Sequence, residues 1–540
     1  MGYYRDFREL LAALDHAGLL FKITLPICKD TELHPLVRWQ FRGLPESDRR
    51  AFLFENVRDA RGRSYTASVA VGALAASREI FCVAMKAPPD ILLEHLARAV
   101  MQPIPPMEVS TGPCQEEVHV GPGLLEHGGL EEFPVPISTP GLDSAPYTTF
   151  SHWISRDPET GLYNIGNYRG QLKAPDRIGC FTHYPQHLAI HWEKCRQLGK
   201  PLEVALVIGT TPNVSFAANT KVPYGVEEYG VAGAIAGGPV PVVRCQTVDL
   251  VAPATAEVVI EGLISTEWLE TEAPFGETTG YMSQRVYTFY CDVTAITHRK
   301  RPVWASIMSQ FPPSESTKLR QLSYEPAYYQ HLKYRCNLPA VTDVAFYESC
   351  SSYYSCVVQI KKTNPAQPWQ AIHAVLSYDS GSAKVVVVVD DDINPRDPDM
   401  VNWAIATRVR PEADVRIQPG RTAVMDFSYI HPEDPRGYAY PEPHGASALT
   451  IDATRKGPYS PTCLPLRPYM ERARTIWKEL GLPPLTAKEP WHGYFLEYWP
   501  AELQEEAEWA VRGEWQRAGD RAKTRRKPAG QDGHPLQDRP

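Results

Sequence analysis

Five consecutive valines, Val385 to Val389, lie between Lys384 and the acidic run Asp390-Asp391-Asp392, and they restrict the fold tightly. A strand that is apolar at every position has no face to offer water, so it must be covered on both sides, as in a parallel sheet packed between helices. Around it, Cys356 to Ile360 and Ala371 to Leu376 read as further strands, while Met400, Val401, Ala404 and Ile405 mark a helix. Residues 316–466 are therefore expected to form an α/β unit.

The preceding region has a different character. From 116 to 315, short apolar runs such as Glu203 to Ile208 and Glu257 to Ile260 are broken by many Gly and Pro residues, a pattern of closely spaced strands in a barrel or sandwich. Before it, Phe7, Leu10, Leu11 and Leu14 have helical spacing, Asp6 with Glu9 resembles a capping box, and Gly18 suits the helix end. Phe21 to Thr24 alternates as a strand, and a helix from Asp90 to Met101 runs into Pro103, Pro105 and Pro106. Residues 1–115 thus read as a small α/β domain. The extension 467–540 holds helical segments near 469–480 and 501–517, a basic run from Arg512 to Lys527, and a final stretch whose Pro, Gly, Gln and Asp predict disorder. No internal repeat is present.

Composition narrows the function. The chain has 540 residues and is 43% hydrophobic, enough for several domains with real cores. Its 55 basic and 63 acidic residues give a net charge of -8, which offers no general attraction to nucleic acid or an anionic membrane. Eleven scattered cysteines without a C-x-x-C pair fit reduced thiols in a cytoplasmic protein rather than a disulfide framework. The start Met1-Gly2-Tyr3-Tyr4 has no apolar leader, and the valine run is far short of the ~20 residues of a membrane span.

Chemistry concentrates in Glu272-Ala273-Pro274-Phe275-Gly276-Glu277, followed by Thr278-Thr279-Gly280-Tyr281. Pro274 lacks a backbone donor and Gly276 and Gly280 permit positive φ, so the segment must turn, and a turn can bring its two carboxylates together. Two acids in one apolar pocket cannot ionise equally easily; one is pushed upward and can hold a proton near neutral pH. A surface loop that happens to carry acids is the plain alternative.

Other segments compete for attention. His183, His187 and His191 stand at four-residue intervals, which on one helix would suggest zinc. Pro185 favours a helix that begins there and leaves His183 outside, so at most one of these histidines is expected to bind metal, and His191 reads as structural. Asp390 to Asp392 end a buried strand, where sites often lie, although Asn394 and Asp397 also suit a helix cap. Gly225 to Gly238 reads as a small-residue helix with Glu228 as a potential ligand. It has neither a G-x-G-x-x-G nor a GK[ST] signature.

Taken together, Asn164-Ile165-Gly166-Asn167-Tyr168-Arg169, Gln186-His187, Glu228 to Gly233, Glu272 to Tyr281 and Lys384 to Asp397 resemble, in order, the motifs of the UbiD-type reversible decarboxylases. The resemblance spans roughly residues 1–465 and implies a multidomain α+β and α/β fold. Its parts are an α/β N-terminal domain, a split β-barrel that binds prenylated FMN and a C-terminal α/β oligomerisation domain. By position it makes Asn164, His187 and Glu228 ligands of a divalent ion, Mn2+ or Mg2+, that joins the cofactor phosphate to the protein. K+ would be held by carbonyls near Leu162 and Ala218 to Val222. Gln186 and Lys384 are further cofactor contacts, Lys384 reaching the phosphate.

Arg169, Glu272 and Glu277 resemble the family's catalytic network, with Glu277 as acid/base, Arg169 as carboxylate or cofactor partner, and Glu272 positioning Arg169. The substrate implied is an aromatic, heteroaromatic or α,β-unsaturated acid, decarboxylated reversibly. The basic tail raises a CoA-linked acid such as a phthaloyl-CoA; a solvated helix end or subunit contact is the competing reading. A flavin prenyltransferase would supply the cofactor, and a homo-oligomer, dimer or hexamer, is implied. Two alternatives stand beside this: a zinc hydrolase on His183, His187 and His191, and a non-catalytic assembly subunit.

Overall fold

The computed structural model describes residues 2–182, 185–309, 311–422, 426–429, 446–485 and 498–526. His183, Lys527 and the terminal stretch expected to be disordered lie outside these residues.

The first helix, Phe7–His16, buries Phe7, Leu10, Leu11 and Leu14, and the Asp6 side chain accepts the Glu9 amide hydrogen at 2.9 Å. It adjoins a four-stranded sheet ordered Leu20–Ile23, Ala51–Phe54, Ser68–Val71 and Val303–Ser306. The fourth strand arrives only after the whole middle region and pairs in parallel, Val303 with Ser68 through Ser306 with Val71. Residues 116–315 therefore complete the N-terminal sheet as well as forming their own, a crossing that no local pattern announces.

The middle region builds a ten-stranded antiparallel sheet. Its path runs Tyr163–Asn167, His152–Arg156, Leu202–Ile208, Val258–Ile264, Val286–His298, Arg177–Cys180, Gly170–Ala174 and Tyr147–Thr148. The path is open at both ends, as in a split barrel. The 13-residue strand Val286–His298 is its spine and also pairs with Glu117–Val120 and Glu270–Glu272.

In the C-terminal sheet, Val385–Asp390 lies between Ser355–Ile360 and Ala446–Asp452, parallel to both. Val386 and Val388 pack with Ile372 and Val375 on one face, and Val387 and Val389 with Met400, Val401 and Ala404 on the other. Both faces are covered, as an all-apolar strand requires. One expectation is corrected: Ala371 to Leu376 belongs to the helix Gln367–Tyr378. Its buried residues Ala371, Ile372, Val375 and Leu376 recur with helical spacing, and Pro368 in the first turn marks a helix start.

Helix Glu315–Gln330 joins the three parts. Ser314 and Thr317 cap its start reciprocally, and the Glu315 carboxylate accepts the amide hydrogens of Gly72 at 2.8 Å, Ala75 at 3.3 Å and Met308 at 3.3 Å. The small-residue helix forms as Glu228–Ala236 and packs against the chain at Ile104, whose amide donates to the Gly230 carbonyl at 2.9 Å. All eleven cysteines are unpaired. Among the described residues, no helix is long and apolar enough to cross a membrane.

In the extension, helix Gln516–Thr524 lies against the acidic helix Ala501–Val511. Arg521 pairs with Glu502, Glu505 and Glu506, Arg525 with Glu502, and Arg517 with Glu514. Much of the basic run is thus neutralised within the chain.

Candidate active site

Glu272 and Glu277 lie on a hairpin rather than a bare turn. Glu272 closes the strand Glu270–Glu272 opposite Val286, and the pairing resumes as a bridge between Gly276 and Met282. The Glu277 amide donates to the Tyr281 carbonyl at 2.8 Å and the Gly280 amide to the Glu277 carbonyl at 2.9 Å, closing the tip. Gly280 sits at φ +95°, where a Cβ would also come within 2.9 Å of the Phe311 ring. Gly280→Ala is expected to cost about 1–3 kcal/mol through that strain, read as a lower midpoint in denaturant with Glu277 displaced.

Arg169 stands between the two acids. Its Nε and Nη2 donate to Glu272 at 2.9 and 2.7 Å, a two-point fork, while Nη1 donates to Glu277 Oε1. The guanidinium carbon lies 4.0 Å from the Phe181 ring centre and 5.2 Å from that of Phe275. Cation–π contact and bidentate pairing both use the planar group that Arg alone supplies. Burial opposes the Arg169 charge, but Glu277 and Glu272 outweigh it and hold its pKa above the usual arginine value.

The cluster carries one more acid than its cation neutralises. Burial raises the Glu272 carboxyl above the ordinary glutamate value against the opposing pull of Arg169. The two acids differ in access: the Glu272 side chain is 1% exposed and that of Glu277 11%. Glu272 has both oxygens on Arg169, whereas Glu277 meets it through Oε1.

Several residues that sequence patterns did not single out hold this arrangement. Ser283 Oγ accepts the Phe275 amide hydrogen at 2.9 Å, the Tyr147 hydroxyl donates to the Ala273 carbonyl at 2.9 Å, and Gln171 accepts from the Ala273 amide at 3.2 Å. From the C-terminal side, Arg320 donates to Thr278 Oγ1 at 3.0 Å and the Tyr281 ring lies 5.0 Å from Phe427. A third acid, Asp143, is pushed up to about 6 by burial, although Arg169 is among the charges opposing the shift. These residues come from separate strands and loops, so no local spacing could have revealed them.

A second cluster lies around Glu228. Its carboxylate is 4% exposed, accepts the Ile165 amide hydrogen at 2.9 Å through Oε2, and sits 3.9 Å from His187 Nδ1 through Oε1. Burial pushes Glu228 up to about 8 and lowers His187. Asn164 is also buried, and its Nδ2 has no hydrogen-bond partner of good geometry among the described residues. An amide, an imidazole and a buried carboxylate without a cation form a donor set suited to a divalent ion. Gln186 precedes the helix His187–Gln197 and accepts from Thr182 Oγ1 at 2.7 Å.

His191, expected to be structural, meets Ser155 Oγ through Nδ1 at 2.9 Å, and His183, the third member of the supposed zinc triad, lies outside the described residues. Lys384 is placed in the C-terminal domain, paired with Asp426 at 2.7 Å and Ser428 at 2.9 Å.

Comparison with known families identifies the domains. Residues 107–312 match the 3-octaprenyl-4-hydroxybenzoate carboxy-lyase Rift-related domain, and residues 318–453 match the C-terminal domain of the same family. An uncharacterized protein of Aquifex aeolicus is 30% identical over 507 residues, covering 89% of this chain and 100% of that protein. The UbiD-class enzyme HmfF of Pelotomaculum thermopropionicum, solved with FMN, is 33% identical with a TM-score of 0.73, covering 85% of this chain and 95% of that one. Vanillic acid decarboxylase of Sedimentibacter hydroxybenzoicus is 26% identical with a TM-score of 0.75, covering 89% of this chain and 99% of that one. With both domains matched, and relatives covering 85% and 89% of its length, the chain belongs to the UbiD family of carboxy-lyases.

Proposed function

We propose that this protein is a reversible, prenylated-FMN-dependent decarboxylase of an aromatic, heteroaromatic or α,β-unsaturated carboxylic acid. The observation that carries the reading is the buried Arg169 fork between Glu272 and Glu277. HmfF has been solved with FMN and, in an evolved dimeric form, with prenylated FMN, which supports a flavin at the corresponding place. Prenylated FMN, when bound, supplies the electron sink that lets carbon dioxide leave an unsaturated acid.

The chain's own residues orient and protonate. Arg169 offers the cationic edge against which a carboxylate or the cofactor is aligned, and Glu272 fixes that edge through its two-point contact. Glu277, the more accessible acid, holds and delivers the proton that replaces carbon dioxide. The Phe181 and Phe275 rings beside Arg169 keep the site apolar, which strengthens each of these interactions.

Asn164, His187 and Glu228 are assigned to a divalent ion, Mn2+ or Mg2+, that neutralises the cofactor phosphate, with Gln186 beside it. Their donor chemistry fits, and the raised Glu228 carboxyl has a direct consequence. With its value near 8, Glu228 is mostly protonated at pH 7 in the metal-free protein and must lose that proton to bind. Calorimetric Mn2+ titration at pH 7 in buffers of different ionisation enthalpy is expected to show release of about one proton; absence of release removes Glu228 from the ligand set. The sign for stability follows: the metal-free protein is favoured at low pH and loses that contribution as pH rises through about 8.

K+ is assigned to carbonyls near Leu162 and Ala218 to Val222. Lys384 is committed to Asp426 and Ser428, so its contact with a phosphate requires that pair to open. The internal pairing of Arg517, Arg521 and Arg525 weakens the argument for a CoA-linked substrate from the basic tail. The decisive experiment is a screen of aromatic and unsaturated acids, with their CoA thioesters, against protein co-expressed with a flavin prenyltransferase. Carbon dioxide release or carbonate exchange is expected with one class of free acid. Protein that binds no flavin and is inert toward every class would favour a non-catalytic assembly subunit.

A further inference from the structure

We infer that His119, Glu132 and His298 form a zinc site, separate from the Asn164, His187 and Glu228 cluster. His119 Nδ1 lies 3.2 Å from Glu132 Oε2, and His298 Nε2 lies 3.4 Å from Glu132 Oε1. One ligand atom from each residue falls within 4.8 Å of the others. A tetrahedral ion bonded at about 2.0–2.1 Å sets neighbouring donor atoms about 3.3 Å apart, which is the spacing of each His–Glu contact here.

Beyond these contacts with one another the donors have no other partner among the described residues. His119 and His298 are 7% and 5% exposed, and His119 Nδ1, Glu132 Oε2 and His298 Nε2 are closed to water. Bringing three such atoms together costs free energy unless a metal ion or a shared proton sits among them. On His298 the other ring nitrogen, Nδ1, lies 2.9 Å from the Arg299 carbonyl. Donation there fixes the tautomer and leaves the Nε2 lone pair facing Glu132, the orientation that metal-bound histidines commonly have.

Local structure aims each residue inward against its ordinary preference. In the strand Glu117–Val120, His119 is buried while Val118 and Val120 are 44% and 42% exposed, the reverse of apolar patterning. Glu132 ends a short helical turn entered through Gly128 and Gly129, both at positive φ. A Cβ on Gly129 would lie 2.1 Å from the Pro175 carbonyl oxygen, so only glycine permits this approach. The His127 ring stacks on His119 at 3.9 Å and Phe133 meets the His298 ring at 5.4 Å, walling the site.

The site is remote from the proposed chemistry. His298 ends the long strand and Val286, opposite Glu272, begins it; twelve residue steps of about 3.3 Å, at most roughly 40 Å, lie between them along the strand. Two imidazoles and a carboxylate select a borderline ion such as zinc. Its role is to brace the edge strand Glu117–Val120 and the turn at Glu132 against the spine of the middle sheet.

The test uses the full-length protein, stripped with a chelator, dialysed, and titrated with Zn2+ or with Co2+ as a spectroscopic reporter. The parent is expected to take up a zinc that Glu132→Gln and His119→Gln each weaken by more than about 100-fold, beyond the loss caused by removing a hydrogen bond to a metal ligand. Co2+ should show the intense visible bands of tetrahedral coordination, and zinc should raise the melting temperature of the parent but not of the variants. Flavin content should be unchanged in both. Equal zinc uptake by parent and variants would overturn the assignment. So would failure of zinc to bind with the His298 ring protonated in its NMR titration, since a proton rather than a metal would then join it to Glu132.

Discussion

Glu277→Gln, reconstituted with prenylated FMN, is expected to turn over about 10²- to 10⁴-fold more slowly than the parent, the usual contribution of a positioned acid or base. Gln keeps the shape and accepts the Arg169 hydrogen bond, but it cannot carry the exchangeable proton. Flavin absorbance and substrate affinity should therefore change little while kcat falls. The same variant separates two stages of the reaction. If carbon dioxide exchange into the substrate persists while solvent deuterium incorporation is lost, the proton step alone depends on Glu277. An unchanged rate would remove it from the acid/base role.

The second large effect concerns stability. Arg169→Ala leaves Glu272 and Glu277 buried without their shared cation, and breaking such a pair costs about 3–5 kcal/mol. Glu272 already has its carboxyl raised in the folded protein, so the folded state binds a proton more readily than the unfolded chain. Removal of Arg169 takes away a charge that opposed this shift and raises it further. The loss should therefore be greatest at high pH and shrink as pH falls, because protonation relieves the uncompensated charge. Denaturant midpoints for parent and variant between pH 5 and pH 9 test this; a loss that grows on acidification would contradict it. Arg169→Lys should restore part of the stability but not the turnover, since an ammonium cannot reproduce the planar fork.

What the sequence disclosed follows the range of the interactions involved. The helix Phe7–His16 and the valine strand were legible because their burial is written in consecutive residues. The Glu272 to Tyr281 segment announced a turn through its Pro and Gly residues, and the structure brings both acids onto Arg169, more than a hundred positions upstream. Ala371 to Leu376 is ambiguous in sequence because a short apolar run fits either a strand or one side of a helix, and Pro368 in the first turn is the residue that decides for the helix. Ser283, Tyr147, Gln171 and Asp143 gave no signal at all. Their roles exist only once strands distant in sequence lie side by side.

The strand Val303–Ser306 has a consequence for biogenesis. Its partner Ser68–Val71 leaves the ribosome more than two hundred residues earlier, and at about 5–20 residues per second that is a wait of roughly ten to fifty seconds. Throughout that interval the nascent N-terminal sheet has an open edge, with Val69 and Val71 unpaired on that side. The emerging chain is thus exposed to mispairing until nearly sixty percent of it has been made, and chaperone occupancy during synthesis should peak in that window. A ribosome-bound chain stalled after residue 290 should be captured by a holdase, and one stalled some forty residues beyond Ser306 should be released.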